Sequence, residues 1–133
     1  MSVGLFGKKP QTPANPNPEP VGLNRLQEIT GNDEEMYRAM SRLFFLDPKR
    51  ITMSLEDTVA QASSFEASGN KTRAEVWYRI AGGISLYRGD VDGVRKFFEK
   101  ASSFAADAKP EYKTIAGRAS EAVSIARKFY DSL

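Results

Sequence analysis

From Asn32 onward, hydrophobic residues recur at helical spacing and short breaks divide them into segments. Met36, Met40, Leu43 and Phe44 lie three and four residues apart, behind an Asn32 and Glu35 pair that reads as a capping box. Asp47 and Pro48 stop this segment, because a residue before proline avoids the right-handed helical region. Asp47 is also placed to cap a short turn with Pro48 at its first position. Ser54 and Asp57 start the next helix, whose apolar face is Leu55, Val59, Ala62 and Phe65, and Gly69 with Asn70 supplies its left-handed end. Lys71 to Arg88 predict a third helix carrying Trp77, Ile80, Ala81 and Ile84. Ala74, Tyr78, Leu86 and Tyr87 widen its apolar surface, which predicts contact on two sides.

After Gly89 and an Asp90 cap comes the clearest stripe: Val91, Val94, Phe97, Phe98, Ala101, Phe104 and Ala105. Asp92, Arg95, Lys96, Glu99 and Lys100 form its polar face, with Asp92 and Lys96 in the favourable i, i+4 order. Pro110 opens the last helix, which carries Ile115, Ala119, Ala122, Val123, Ala126, Phe129 and Tyr130. No alternating β-branched run competes with these elements. The predicted fold is all-α, with four to five helices separated by breaks about every 20 residues. Breaks this short turn neighbouring helices antiparallel, giving a stack of helical hairpins or an up-and-down bundle. Ala62, Ala74, Ala81, Gly82, Ala101, Ala119 and Ala122 fall on inward faces, and Gly82 with Gly83 predicts a close helix crossing.

Two windows resemble tetratricopeptide repeats, the 34-residue helical hairpins. Gly82, Gly89, Asp90, Phe98 and Ala101 fill positions where that repeat prefers a small residue, a Gly-Asp turn, an aromatic and alanine. Ala62, Phe65, Gly69, Asn70, Ala74, Tyr78 and Ala81 fill the same series in an earlier window. The windows start 20 residues apart, so the helix from Lys71 to Arg88 is shared between them. The resemblance covers about residues 55–105 and implies a protein-binding scaffold.

The amino-terminal part differs. Five of the seven prolines lie between Pro10 and Pro20, which predicts a flexible Pro/Asn-rich arm biased to polyproline II. The predicted organisation is therefore an arm over 1–31 and a single helical domain over 32–133. Residues 21–29 carry an apolar pattern compatible with a short amphipathic turn against that domain. Leu5 and Phe6, flanked by glycines, are either a frayed terminus or a short docking peptide.

Length and composition narrow the chemistry. The chain has 133 residues, room for one domain and a tail, and contains no cysteine and no histidine. Disulfides, thiolate or imidazole zinc sites, histidine-dependent nucleophiles and histidine switches are thereby excluded. Hydrophobic residues are 41% and charged residues 27%, with a mean hydropathy of −0.45. The longest apolar cluster, from Leu43 to Leu46, is four residues long. With apolar residues ahead of Lys8 and Lys9, the start reverses the order of a secretory leader. The expectation is a cytoplasmic protein without membrane insertion. Lys plus Arg is 19 and Asp plus Glu is 17, a net charge of +2 with no segregated basic arm.

Carboxylates cluster at Asp33, Glu34 and Glu35, at Glu56 and Asp57, and at Asp90 and Asp92. Each cluster falls in a predicted first helical turn, where the helix dipole favours negative charge. No phosphate-cradling glycine motif is present, and no catalytic, cofactor or metal-ligating set emerges. The expectation is a non-enzymatic interaction module, an adaptor or accessory subunit, that binds a protein partner without a cofactor. Its candidate partner-binding residues are Tyr87, Arg88, Arg95, Lys96, Lys100 and Tyr112, expected at the surface. The second expectation is a nucleic-acid- or ribosome-associated factor using the Lys and Arg helix faces. There, Lys71 and Arg73 would approach Lys100 if the helices pack antiparallel.

Overall fold

The structure, a computed structural model, describes residues 23–43, 45–105 and 108–133. The fold is all-α, with no strand among these residues. Among the described residues seven helices follow one another: α1 (Leu23–Thr30), α2 (Glu34–Leu43), α3 (Leu55–Ala67), α4 (Lys71–Arg88), α5 (Val91–Ala105), α6 (Glu111–Gly117) and α7 (Ala119–Asp131). A short 3-10 turn, Pro48–Arg50, lies between α2 and α3. No described helix is long and apolar enough to cross a membrane.

Local hydrogen bonding explains the boundaries. Ser54 Oγ accepts from the Asp57 amide at 3.0 Å, Asn70 Oδ1 from that of Arg73 at 3.2 Å, and Asp90 Oδ1 from that of Gly93 at 3.0 Å. Each satisfies an amide that has no partner inside its own helix. Asp47 caps the 3-10 turn by accepting from the Lys49 amide at 3.0 Å. Gly69 and Gly89 end their helices at φ of 80° and 76°, a region that costs a side-chain-bearing residue strain. The cap of α2 is Asp33 rather than Asn32. Gly31 turns the chain at φ 58°, and the Met36 amide donates to Asp33 Oδ1 at 3.3 Å.

Two departures raise the helix count above four or five. The first is α1, which lies inside the span assigned to the arm. Leu26 is buried in the core, Ile29 packs against it, and α1 contacts α2 and α7. The folded part therefore begins before residue 32. The Pro-rich stretch from Pro10 to Pro20, Leu5, Phe6 and Phe44 lie outside the described residues. The second is a break in the last helix, where Arg118 leaves helical geometry at φ −122° and ψ 43°. Gly117 weakens the helix by about 1 kcal/mol relative to alanine. Arg118 is then drawn across to the start of α2, donating to Glu35 at 3.0 Å and pairing with Asp33, while it also holds Glu121 of α7 at 2.6 Å.

Helix α4 is the centre of the packing. It shares its largest surfaces with α5 and α3 and also meets α7. Its glycines set the approach of α5 and that of the α2–α3 connection. A Cβ at Gly82 would stand 2.6 Å from the Phe98 ring of α5, and one at Gly83 would stand 2.8 Å from Leu46 Cδ1. Gly93 in turn admits the Ser85 hydroxyl, at 2.6 Å from where its Cβ would be. Contacts then run in opposite order along α4 and the chain that follows: Ser85 with Gly93, Gly82 with Phe98, Tyr78 with Phe104, and Glu75 with Lys109. Phe98, fully buried, contributes about 1.5–3 kcal/mol by its removal from water. The small residues predicted on inward faces, Ala62, Ala74, Ala81, Ala101, Ala119 and Ala122, are all buried.

Candidate functional site

The side of α4 turned away from Phe98 is only partly covered. What covers it is the connection between α2 and α3, and aromatic contacts fix that connection in place. Phe45 stacks on Phe129 of α7 at 4.2 Å between ring centroids and meets Tyr130 edge-on at 5.6 Å. The Tyr130 hydroxyl donates to the Leu46 carbonyl at 2.8 Å, and burial pushes that phenol above its ordinary pKa. Leu46 is thereby held against Gly83. The capped turn at Asp47 then sends Ile51, Thr52 and Met53 toward the start of α3. Thr58, fully buried there, donates to the Ser54 carbonyl at 2.8 Å.

Between this connection and α4 lies an open groove of about 460 Å³. Thr58 and Ile84 are its buried floor, and Phe45, Leu46, Ile51, Met53, Trp77 and Ile80 are half-buried along it. Asp47 and Arg50 are exposed at its edge, 3.9 Å apart. Half-buried aromatic and branched side chains bordered by a few polar groups are the composition of a docking surface. The exposed polar side chains at the groove are the Asp47 carboxylate, the Arg50 guanidinium and the Thr52 hydroxyl.

The charged side chains that do converge form structural networks instead. Glu75 on α4 is 8% exposed. It accepts from Lys109 Nζ at 2.5 Å and from the Tyr112 hydroxyl at 2.8 Å. Burial pushes this carboxyl up, but the bonds from Lys109 and Tyr112 outweigh it and hold its pKa below the ordinary value. Burial and the Glu75 acceptor together push the Tyr112 phenol up. Glu66 on α3 accepts from Lys100 at 2.9 Å and from the Tyr78 hydroxyl at 2.7 Å, and these bonds lower its pKa while raising that of Lys100. The Arg118 pairs lower Asp33 and Glu121 in the same way.

The six candidate partner-binding residues do not form one surface. Tyr87 is 46% exposed and stands edge-on to Tyr130 at 4.9 Å. Arg88, Arg95 and Lys96 are exposed; Arg95 pairs with Asp92 at 3.2 Å, and Lys96 lies 5.6 Å from the Phe97 ring centre. Asp92 thus meets Arg95 rather than the expected Lys96. Lys100 is engaged by Glu66 and lies 5.3 Å from the Tyr78 ring centre. Arg73 sits over the Phe65 ring at 5.6 Å, and Lys100 is held by Glu66, the neighbour of Phe65 on α3.

Tyr112 is a correction. It is 1% exposed, because α6 packs on α5 and places its ring beside Phe98, with its hydroxyl consumed by Glu75. None of the six lines the groove. Sequence reasoning passed over Phe45, Leu46, Ile51 and Met53 because they lie in a proline-containing connection without helical period. The available signal was the second apolar face of α4. Comparison of the chain with known protein families, curated sequences and solved structures finds no match.

Proposed function

We propose that this protein is a non-enzymatic interaction module. Its groove between α4 and the α2–α3 connection takes an extended or helical peptide with bulky apolar anchors from a protein partner. The observation that carries this reading is the line of half-buried Trp77, Ile80, Ile51 and Met53 beside an open volume of about 460 Å³. Side chains of this size left half in water are a recognition surface in want of cover. The reading treats α3, α4 and α5 as tetratricopeptide-like hairpins. The opposite-order contacts along α4 and α5 support that packing, and the groove lies outside them, where the α2–α3 connection crosses α4. A cytoplasmic setting is part of the reading, supported by the cysteine-free sequence.

The test is selection from a random peptide display library on the full-length protein, followed by binding to Ile51→Glu and Met53→Glu variants. Peptides with aromatic or branched anchors should be enriched, and they should lose affinity for both variants while melting temperatures stay unchanged. Enrichment that ignores both substitutions would contradict the groove. Tight binding of a single-stranded oligonucleotide that weakens steeply with salt would favour the Lys and Arg faces instead.

A further inference from the structure

The groove has an apolar candidate close at hand in the chain itself. Ahead of Leu23, residues 3–6 hold Val3, Leu5 and Phe6 in a compact cluster, and residues 8–20 contain no large apolar side chain other than proline. We infer that the segment 3–6 is the occupant of the groove, docking in cis through its apolar side chains and competing there with a partner peptide. This rests on the docking reading of the groove and adds a resident occupant to it.

Reach is the first argument. The 16 residues 7–22 separate this cluster from the first described residue of α1. A proline-rich tether of that length spans about 50 Å at roughly 3.1 Å per residue. A folded unit of this size is about 35 Å across, roughly 55 Å from one pole to the other around its surface, so the tether reaches most of the surface and falls short only at the pole opposite α1. Chemistry is the second argument. The cluster offers one aromatic and two branched side chains to a groove lined by Phe45, Leu46, Ile51, Met53, Trp77 and Ile80. Two residues after Phe6 come Lys8 and Lys9. The edge of the groove offers them Asp47, shared with Arg50, and the first turn of α3 adds Glu56 and Asp57 beside Thr58.

Tethering makes even a weak contact effective. A linker of this length gives an effective concentration of about 1 mM, so a segment with an intrinsic Kd of about 0.1 mM keeps the groove about nine-tenths occupied and weakens a competitor about tenfold.

Trp77 is the single tryptophan of the chain and lines the groove, so its fluorescence reports occupancy. The experiment compares acrylamide quenching of Trp77 in the full-length protein and in a Leu5→Asp/Phe6→Asp variant, which alters no described core residue. The cysteine-free sequence also allows a spin label on Ser2→Cys, read by broadening of isoleucine methyl signals. The inference expects easier quenching in the variant and broadening at Ile51 and Ile80 that persists on dilution. It also expects about tenfold tighter binding of a library-selected peptide to the variant. Equal, ready quenching in both proteins would overturn the cis occupant while leaving the open groove intact. Shielding that disappears on dilution would assign the groove to a second copy and equally overturn it. A Trp77 that acrylamide reaches in neither protein would overturn both the occupant and the docking reading.

Discussion

The two sides of α4 pack in opposite ways. Toward α5, Gly82 lets the Phe98 ring approach until nothing but hydrogen fits between, and the ends of the seam are keyed by Ser85 against Gly93 and by Glu75 against Lys109. Toward the α2–α3 connection, Gly83 admits Leu46 equally closely, but the contact then opens into the groove beside Trp77 and Ile80. The same helix thus carries a closed seam and an unfinished one. The closed side binds the fold together, and the unfinished side leaves Trp77, Ile80, Ile51 and Met53 half in water.

The contrast breaks most sharply at Phe98. Phe98→Ala should cost about 3–5 kcal/mol in chemical denaturation, because a fully buried aromatic leaves a cavity that its neighbours fill only in part. Glu75→Ala should cost less, about 1–3 kcal/mol, by leaving the buried Tyr112 hydroxyl without its acceptor. The charge of Glu75 adds a pH dependence. Its folded pKa lies below the ordinary 4.5, so its contribution is complete above that value and disappears as pH falls through the lowered one. Glu75→Gln should flatten the acid limb of a stability-against-pH curve, and an unchanged limb would assign acid unfolding to other carboxylates.

A glycine pair refines the comparison further. Gly82→Ala pits about 1 kcal/mol of helix propensity against an overpacking cost of about 1–3 kcal/mol from the Phe98 ring, so it should lower the melting temperature. Gly117→Ala meets no neighbour within 4 Å and should instead stabilise by about 0.4–1 kcal/mol. The smallest effect belongs to the groove: Ile51→Glu should change stability by no more than about 0.5 kcal/mol, because its side chain closes no core contact.

Much of the helical frame was legible from local chemistry. Ser54, Asp90 and Asp47 cap where their spacing placed them, while Asn70, read as part of a helix end, caps the start of α4, and the faces led by Met36, Val94 and Ile115 are the buried ones. Interactions spanning the chain were not legible. Arg118 breaks the last helix while holding Asp33, 85 residues away in sequence, and no local pattern contains that pair. Leu26 could be placed in the core only once α2 and α7 were known to meet α1. Tyr112 was assigned to the surface because an aromatic just after Pro110 has no readable inward direction until α6 is set against α5. The groove was hidden for the same reason, since its walls come from an aperiodic connection and the second face of a helix whose first face already accounted for its pattern.

The six isoleucines provide the most direct measurement of the central claim, that the uncovered side of α4 is the docking surface. Ile51, Ile80 and Ile84 line the groove, Ile115 lies in the core, and Ile29 and Ile125 pack elsewhere. Methyl spectra of the full-length protein, titrated with a library-selected peptide, should shift Ile51, Ile80 and Ile84 together and leave Ile115, Ile29 and Ile125 in place. Shifts centred on Ile29 or Ile125 with the groove methyls unmoved would contradict it.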